Sequence, residues 1–267
     1  MSHGSGCSAC QDLQYRTTGK GRYAIAEVCP RCSAPCTKCN DEERIIGRDD
    51  AGRTWVSPCS CVALKRRVRL FGRAKIPAAY HDKNVEHPSF SPSTRSQAEA
   101  QRRLMKFQAR GEPGDAGLLL MGPPGIGKTH LMCGIIRFLT LERGQECRYI
   151  DSFHLLEELR ATFEARQGAS ALMEAVCSVP ILVLDELGKT RTTGWQREVL
   201  DQIISRRYSE QLTTFMTSNY GMPAEAGQGG TFEHDNLKDR VGTRIFSRLM
   251  EMCEPLALDG ADMRLQA

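Results

Sequence analysis

Residues 118–129 read LLLMGPPGIGKT, and this stretch decides the fold class of the chain. Apolar residues lead into Gly122–Thr129, which fits the pattern G-x-x-x-x-G-K-[ST], and a helical pattern follows. Glycines let backbone N–H groups turn inward, so that these groups cradle phosphate oxygens at the positive end of a helix. The stretch therefore predicts a strand, a phosphate-binding loop and a helix within an α/β fold.

The polar residues of this loop have predicted tasks. Lys128 is expected to reach the β- and γ-phosphates of a nucleoside triphosphate, and the Thr129 hydroxyl is expected to ligate Mg²⁺. The predicted nucleotide-binding residues are Gly122, Pro123, Pro124, Gly125, Ile126, Gly127, Lys128, Thr129 and His130.

Two carboxylates follow an apolar run further along the chain. Residues 181–186 read ILVLDE, so that a strand buried on both faces is predicted to end in Asp185 and Glu186. The carboxyl ends of parallel strands form the edge at which α/β proteins bind ligands. We expect Asp185 to hold magnesium together with Thr129, and Glu186 to orient the attacking water or accept its proton.

Asn219 ends the next predicted strand within the sequence Thr-Ser-Asn. We expect its amide to hydrogen-bond the γ-phosphate or the lytic water. The alternative is that it serves only as a turn residue, a common role for asparagine after a strand.

Three arginines near the C-terminus recur every four residues, at Arg240, Arg244 and Arg248. In a helix they would share one face. Phosphoryl transfer spreads negative charge onto the γ-phosphate, and an arginine from a neighbouring subunit is a usual way to neutralise that charge. Arg248 is the first candidate for this role and Arg244 the second. The alternative is a solvated basic face with ion pairs.

The chain resembles the AAA+ ATPases of the DnaC/DnaI helicase-loader type, with the IstB transposition ATPases as close relatives. Four segments carry the resemblance, which extends from about Ile76 to the end: GPPGIGKTH, ILVLDELG, TSN and RVGTRIFSRL. It implies a five-stranded parallel sheet, ATP as the nucleotide, a role in DNA replication, and single-stranded DNA and a hexameric replicative helicase as partners. It also implies Asn219 as sensor 1, and Arg248 or Arg244 acting on the ATP of a neighbouring subunit.

The segment after Arg248 is short. It is too short for the helical lid that completes most AAA+ proteins, and the loader-type relatives are similarly lidless. We therefore expect no C-terminal lid and no stable hexamer of this protein alone. Arg264 is a candidate to replace, in part, the sensor arginine that a lid would supply.

Eight of the 12 cysteines lie at or before Cys61, where they form a repeat. Each repeat has an opening pair in the pattern C-x-x-C and a closing pair in the pattern C-x-x-C or C-x-C, and the interval between the pairs is nearly equal in both. Each repeat thus offers four thiolates, which is enough to close a tetrahedral structural Zn²⁺ site. The eight predicted ligands are Cys7, Cys10, Cys29, Cys32, Cys36, Cys39, Cys59 and Cys61.

Zinc is expected here rather than disulfides, because a cytosolic chain keeps its thiols reduced. The spacing leaves the pairing open: two sequential sites are simplest, but Cys29/Cys32 with Cys59/Cys61 is an alternative. Some loaders of the DnaI type carry an N-terminal zinc domain that docks on the helicase. By that analogy residues 1–61 are a docking module, and the alternative is a small stability element.

Composition and periodicity divide the chain into three parts. Residues 1–61 are predicted to form the zinc-binding domain and residues 97–267 the ATPase domain. Residues 62–96 are predicted to be a basic linker, because Val62–Arg110 carries twelve Lys/Arg against three Asp/Glu, a balance of +9. Helices are predicted at Gln97–Arg110, Lys128–Arg143, Ser152–Ala165, Ala169–Cys177, Gly194–Tyr208 and Thr243–Met252, and strands at Leu118–Met121, Cys147–Ile150, Ile181–Leu184, Thr213–Thr217 and Pro255–Leu258.

No apolar run approaches the ~20 residues that cross a bilayer, and no secretory h-region is visible, so we expect a cytoplasmic ATPase without a membrane partner. A helicase loader is the first functional hypothesis. The second is an IstB-like transposition ATPase. The third is a zinc-based nucleic-acid or protein adaptor whose ATP site works as a slow switch.

Overall fold

The structure is a computed structural model that describes residues 6–164, 168–191, 194–223 and 236–265. It begins with two antiparallel hairpins, one in each cysteine repeat. In each hairpin, one pair of cysteines precedes the first strand and another pair follows the second strand. Their strands are β1 (Tyr15–Lys20) and β2 (Tyr23–Val28), then β3 (Arg44–Arg48) and β4 (Thr54–Pro58).

The prediction that residues 62–96 form a basic linker is wrong, because a packed helix occupies the first part of this segment. Helix α1 (Cys61–Ala74) begins at the last cysteine of the second repeat, and a 3₁₀ turn follows at Ala78–Tyr80. Leu64, Val68 and Phe71 follow a helical spacing and pack into the main core. The many basic residues between them made this amphipathic helix look like a solvated linker.

Helix α2 (Arg95–Arg110) follows this segment, and it starts two residues before Gln97, the predicted first residue. Its first turn carries a capping box, in which the Thr94 hydroxyl accepts the Gln97 N–H and the Gln97 side chain accepts the Thr94 N–H. The cap fixes Gln97, a buried residue that reaches the phosphate-binding loop.

A five-stranded, all-parallel sheet forms the centre of the remaining chain, as expected. The spatial order is β6-β7-β8-β5-β9, so the strand that precedes the glycine loop lies between β8 and β9. This order brings the carboxyl ends of β5, β7 and β8 to one edge. The strands are β5 (Gly117–Met121), β6 (Cys147–Asp151), β7 (Ile181–Asp185), β8 (Thr213–Ser218) and β9 (Cys253–Ala257).

Helices lie on both faces of the sheet, and the sheet separates two apolar clusters. The predicted helices are all present, with bounds shifted by a few residues, and the predicted end at Ala165 lies outside the described residues. The helices are α3 (Lys128–Leu141), α4 (Ser152–Glu164), α5 (Ala169–Ser178), α6 (Gly194–Ser209), α7 (Leu237–Val241) and α8 (Thr243–Met252). After β9 the described chain holds one 3₁₀ turn, Met263–Leu265, and no further helix.

The first cysteine repeat belongs to the same core as the glycine-loop helix. Tyr15 and Ala24 are buried in the cluster that contains Leu131 and Ile135 of α3. The Tyr15 hydroxyl donates a hydrogen bond to Glu142 just after α3, and the Ala24 N–H donates to the Ile76 carbonyl at 2.8 Å. The first hairpin is therefore packed as a part of the body that contains the parallel sheet and the glycine-loop helix.

Candidate functional site

The glycine loop runs from the end of β5 to the first residue of α3. Gly125 and Gly127 have φ of 82° and 92°, a region that favours glycine. A Cβ at Gly125 would lie 2.0 Å from the Asp262 carboxyl carbon, so a larger residue would clash. The loop therefore has the backbone conformation that turns N–H groups toward an anion.

Lys128 is folded against this loop. Its Nζ donates hydrogen bonds to the carbonyls of Gly122 and Pro123, both at 2.7 Å. Burial lowers the pKa of Lys128 to about 8, although Asp185 and Glu186 act in the opposite direction. A phosphate group offers stronger acceptors than these carbonyls. We therefore expect the ammonium to exchange the carbonyls for phosphate oxygens when a nucleotide binds.

Asp185 is buried at the end of β7, where three hydroxyls donate to its carboxylate. Tyr149 donates to Oδ2 at 2.6 Å and Thr129 at 3.0 Å, while Thr217 donates to Oδ1. Burial raises the pKa of Asp185, and these hydroxyls partly oppose the rise. Thr129 and Asp185 thus present adjoining oxygen ligands of the kind that Mg²⁺ prefers, so the residues fit the expected ion.

Glu186 has a left-handed backbone, with φ of 56°. Its N–H donates to Thr217 Oγ1 at 2.9 Å, and its carboxylate is paired with Lys189 Nζ at 2.5 Å. A non-glycine residue in this conformation is strained, and such residues cluster at functional sites.

Asn219 directly follows β8, the strand between β7 and β5. The Gly122 N–H donates to the carbonyl of Ser218 at 3.1 Å, so the chain just before Asn219 is tied to the start of the glycine loop. The structure thus brings Asn219, Lys128 and Asp185 to one edge of the sheet, as the sequence predicted.

Arg244 and Arg248 share one face of α8, where both approach Asp201 of α6. Arg248 donates to Asp201 Oδ1 at 2.8 Å, and the Nε of Arg244 lies 3.4 Å from the same oxygen. The Arg248 side chain is 22% exposed and that of Arg244 is 72% exposed. Arg240, the third arginine of the series, places its guanidinium 4.1 Å from the centre of the Tyr220 ring.

Several contacts of the glycine loop come from residues that the sequence did not single out. The Gln97 amide donates to the Ile126 carbonyl at 3.3 Å, and the Met263 N–H donates to the Gly125 carbonyl at 3.0 Å. Arg264 lies near enough for its positive charge to lower the pKa of Lys128. The segment after β9 therefore covers the loop. Of these residues, Arg264 was named as a candidate from the sequence. Gln97 stands in a capping-box pattern with Thr94, which does not indicate a contact with the loop, and Met263 stands in no recognisable pattern.

The eight N-terminal cysteines form two separate clusters of four, in which all ligand atoms lie within 4.8 Å of one another. The pairing is sequential: Cys7, Cys10, Cys29 and Cys32 form one cluster, and Cys36, Cys39, Cys59 and Cys61 form the other. Sγ–Sγ distances of 3.4 to 3.9 Å match the ~3.8 Å expected around a tetrahedral ion with 2.3 Å Zn–S bonds. The backbone N–H of Cys61 lowers the pKa of the Cys59 thiol, whereas burial raises the pKa of the Cys61 thiol in the same cluster. Both clusters fit a structural zinc ion.

Replacing Tyr149 with Phe should weaken Mg²⁺-dependent nucleotide binding by about tenfold, because outer-shell partners that orient a metal ligand typically contribute that much. The change removes one of the three hydroxyls on Asp185 and leaves the buried ring in place. Fluorescent ATP titrations with Mg²⁺ and with EDTA would measure the effect. Tyr208→Phe is the matched control, because the Tyr208 hydroxyl bonds Glu251 at the surface. An equal loss of affinity in EDTA would contradict a role through Asp185.

The chain matches a known protein family and is similar to known helicase loaders. Residues 63–267 match the family described as IstB-like ATP binding protein. The chain is 31% identical over 151 residues to the replicative helicase loader DnaI of Bacillus subtilis (strain 168), a match that covers 55% of this chain and 47% of DnaI. It is 24% identical over 216 residues to the replicative helicase loader DnaC of Buchnera aphidicola subsp. Acyrthosiphon pisum, covering 79% and 80% of the two chains.

Among solved structures, the crystal structure of the DnaC helicase loader aligns with a TM-score of 0.59 and 28% identity. The alignment covers 68% of this chain and 99% of the DnaC chain. The chain thus spans about half the length of the Bacillus relative and the whole of the solved DnaC chain. Among the described residues, no helix combines the length and apolarity needed to cross a bilayer.

Proposed function

This chain belongs to the IstB-like ATP binding protein family, and from that premise we propose that it is an ATP-hydrolysing loader of a replicative helicase. The observation that carries the proposal is the contact of Thr129 with the buried Asp185, beside Lys128, in a fold shared with a DnaC helicase loader. ATP binding would order the complex with the helicase, and hydrolysis would release it.

The proposed roles at the ATP site follow from the contacts of each side chain. Lys128 leaves the loop carbonyls and binds the β- and γ-phosphates. Thr129 and Asp185 would hold Mg²⁺, which would neutralise charge on the phosphates. Glu186 orients the attacking water, and Asn219 hydrogen-bonds the γ-phosphate or that water.

Arg248 is the proposed arginine that completes the site of a neighbouring subunit. In the single chain its guanidinium is held by Asp201, so the residue is ordered before any neighbour is present. An incoming γ-phosphate would replace Asp201 as its partner. This arrangement supports a site that hydrolyses ATP slowly until a second subunit or partner is engaged.

Replacing Arg248 with Ala should lower ATP turnover in the assembled complex by roughly 10³-fold, the size of effect that such an arginine supplies. ATP binding by the isolated chain should not change, because the residue acts on a neighbour. The measurement is ATPase activity with and without single-stranded DNA and the helicase. Arg244→Ala is the comparison, and a larger loss with that variant would reassign the role.

The two cysteine clusters are proposed to hold one structural zinc ion each. Four thiols per cluster leave no position for a substrate, so these ions would stabilise the hairpins rather than take part in catalysis. Metal analysis of the purified chain should give two zinc ions. A single ion would contradict the proposal for one cluster.

The decisive experiment for the loader function is a loading assay. The chain is mixed with its host's replicative helicase and ATP, and the transfer of the helicase onto single-stranded DNA is followed. If the chain neither co-elutes with the helicase nor alters its loading, the proposal is wrong. The family match also supports a second candidate, an IstB-like transposition ATPase, for which stimulation of a transposase would be the corresponding result.

A further inference from the structure

The two cysteine repeats have equivalent hairpin faces, but one face is buried and the other is exposed. In the first repeat, the face is covered by the ATPase body: Tyr15 and Ala24 are buried, and Ala26 and Val28 pack beside them. The approach is close, because a Cβ at Gly19 would lie 2.6 Å from the Ala78 carbonyl oxygen. In the first repeat this face therefore binds protein, namely the main core of the same chain.

In the second repeat, no residue that the structure describes covers the equivalent face. Strand β3 starts five residues after Cys39, as β1 starts five residues after Cys10, so the pairing registers correspond. Ile46 and Val56 are cross-strand partners on this face, and they are 59% and 62% exposed. The face, called here the outer face, comprises Arg44, Ile46, Arg48, Thr54, Val56 and Pro58.

The charge on the outer face is positive. Arg44 and Arg48 flank Ile46 on the same strand and are both exposed, and neither forms a salt bridge with any residue that the structure describes. Asp49, in the adjoining turn, is already paired with Arg53 at 2.9 Å. No carboxylate belongs to the face, so its complement is an acidic surface.

The apolar content of the outer face favours a protein over a nucleic acid. Single-stranded nucleic acids bind through aromatic rings on which bases stack, whereas Ile46 and Val56 have no π-face. The aromatic residue of this hairpin, Trp55, lies on the opposite face, with its indole over Gly47. Aliphatic side chains between arginines suit a partner that carries both apolar side chains and carboxylates.

We propose that the outer face of the second repeat docks onto an acidic protein surface that also presents apolar side chains. The first repeat then anchors the module to the ATPase body, and the second repeat holds the partner. Within the proposed function this surface belongs to the replicative helicase, and to that extent the inference rests on the proposed function.

The test uses the full chain with zinc bound and the purified helicase of the same organism as the probe. One variant reverses charge with Arg44→Glu and Arg48→Glu, and a second removes apolar area with Ile46→Ser and Val56→Ser. The matched control, Arg16→Glu with Lys20→Glu, makes the same charge change on the exposed side of the first hairpin. Zinc content and ATP binding verify that each variant is folded.

We expect each outer-face variant to weaken helicase binding at least tenfold at physiological salt, and the control to change it less than twofold. Basal ATP turnover should stay unchanged, because none of these residues touches the ATP site. An equal loss in the control, or full binding by both outer-face variants, would overturn the inference and leave the loader function standing. If the wild-type chain itself fails to bind the helicase, the proposed function and the inference both fall.

Two further outcomes would assign the face to another occupant. If the outer-face variants keep helicase binding but lose binding of a labelled oligothymidine, the face binds nucleic acid. If they change only the sedimentation of the chain alone, the face joins two copies of this protein. Either result would contradict an acidic protein partner.

Discussion

Replacing Glu186 with Gln should lower ATP turnover by at least about 10²-fold, because a positioned general base typically contributes a factor of this size or larger. The amide keeps the shape of the side chain but neither accepts a proton nor pairs with Lys189. ATP should still bind, since Lys128, Thr129 and Asp185 remain. The expected product is a chain locked in its ATP-bound state, which would retain its helicase instead of releasing it.

The controls separate catalysis from structure. Lys189→Ala removes the same ion pair from the other side, so it would reproduce the loss if Glu186 served only to hold Lys189. Glu157→Gln makes the same chemical change at an exposed position on α4. Lys128→Ala should instead abolish nucleotide binding itself. The measurements are single-turnover hydrolysis and fluorescent ATP binding, and turnover near the wild-type rate in Glu186→Gln would refute the role of base.

Replacing Cys29 with Ser should destabilise the whole body that contains the parallel sheet, whereas Cys59→Ser should affect mainly the second hairpin and the first turn of α1. Both cysteines are buried and occupy equivalent positions in the two clusters. Losing the first cluster frees the hairpin that buries Tyr15 against α3. Removing a large buried aromatic costs about 3 kcal/mol, and in a domain of this size roughly 2–4 °C accompanies each kcal/mol.

We therefore expect the midpoint of thermal unfolding of this body to fall by roughly 6–12 °C in Cys29→Ser. In Cys59→Ser it should move by less than about 2 °C, within the range of a surface change. Calorimetry with ATP-binding activity as a second probe would measure both. Equal shifts in the two variants would show that the repeats do not differ in the way the contacts indicate.

The sequence predicted those parts of the molecule that depend on local pattern. The glycine loop, the ILVLD strand and its two carboxylates are local signals, because a parallel sheet brings strand ends to one edge whatever the order of its strands. The two cysteine clusters were predicted for the same reason: each needs only two short turns. Their pairing was left open, because spacing alone does not say which turns face each other.

The missed features depend on contacts between distant parts of the chain. Tyr149 and Asp185 are far apart in the sequence and meet because β6 and β7 are neighbours in the sheet. No pattern around Tyr149 in the sequence predicts that its hydroxyl bonds Asp185. The segment around Met263 reaches the glycine loop for a similar reason, since β9 pairs with β5. Helix α1 was missed because its arginines and lysines are interspersed with the apolar residues that fix it in place.

The burial of Tyr15 beside the glycine-loop helix also bears on where this protein can be divided. A change in composition falls near residue 61, yet the folding unit that contains the ATP site reaches back across it to the first hairpin. A fragment that starts at residue 62 would expose the apolar surface of α1 and α3 to water. The shortest ATPase fragment that keeps its core closed therefore includes the first cysteine repeat. Because the chain runs through the second repeat to reach α1, that repeat can be shortened to a loop but cannot be cut away as a terminal piece.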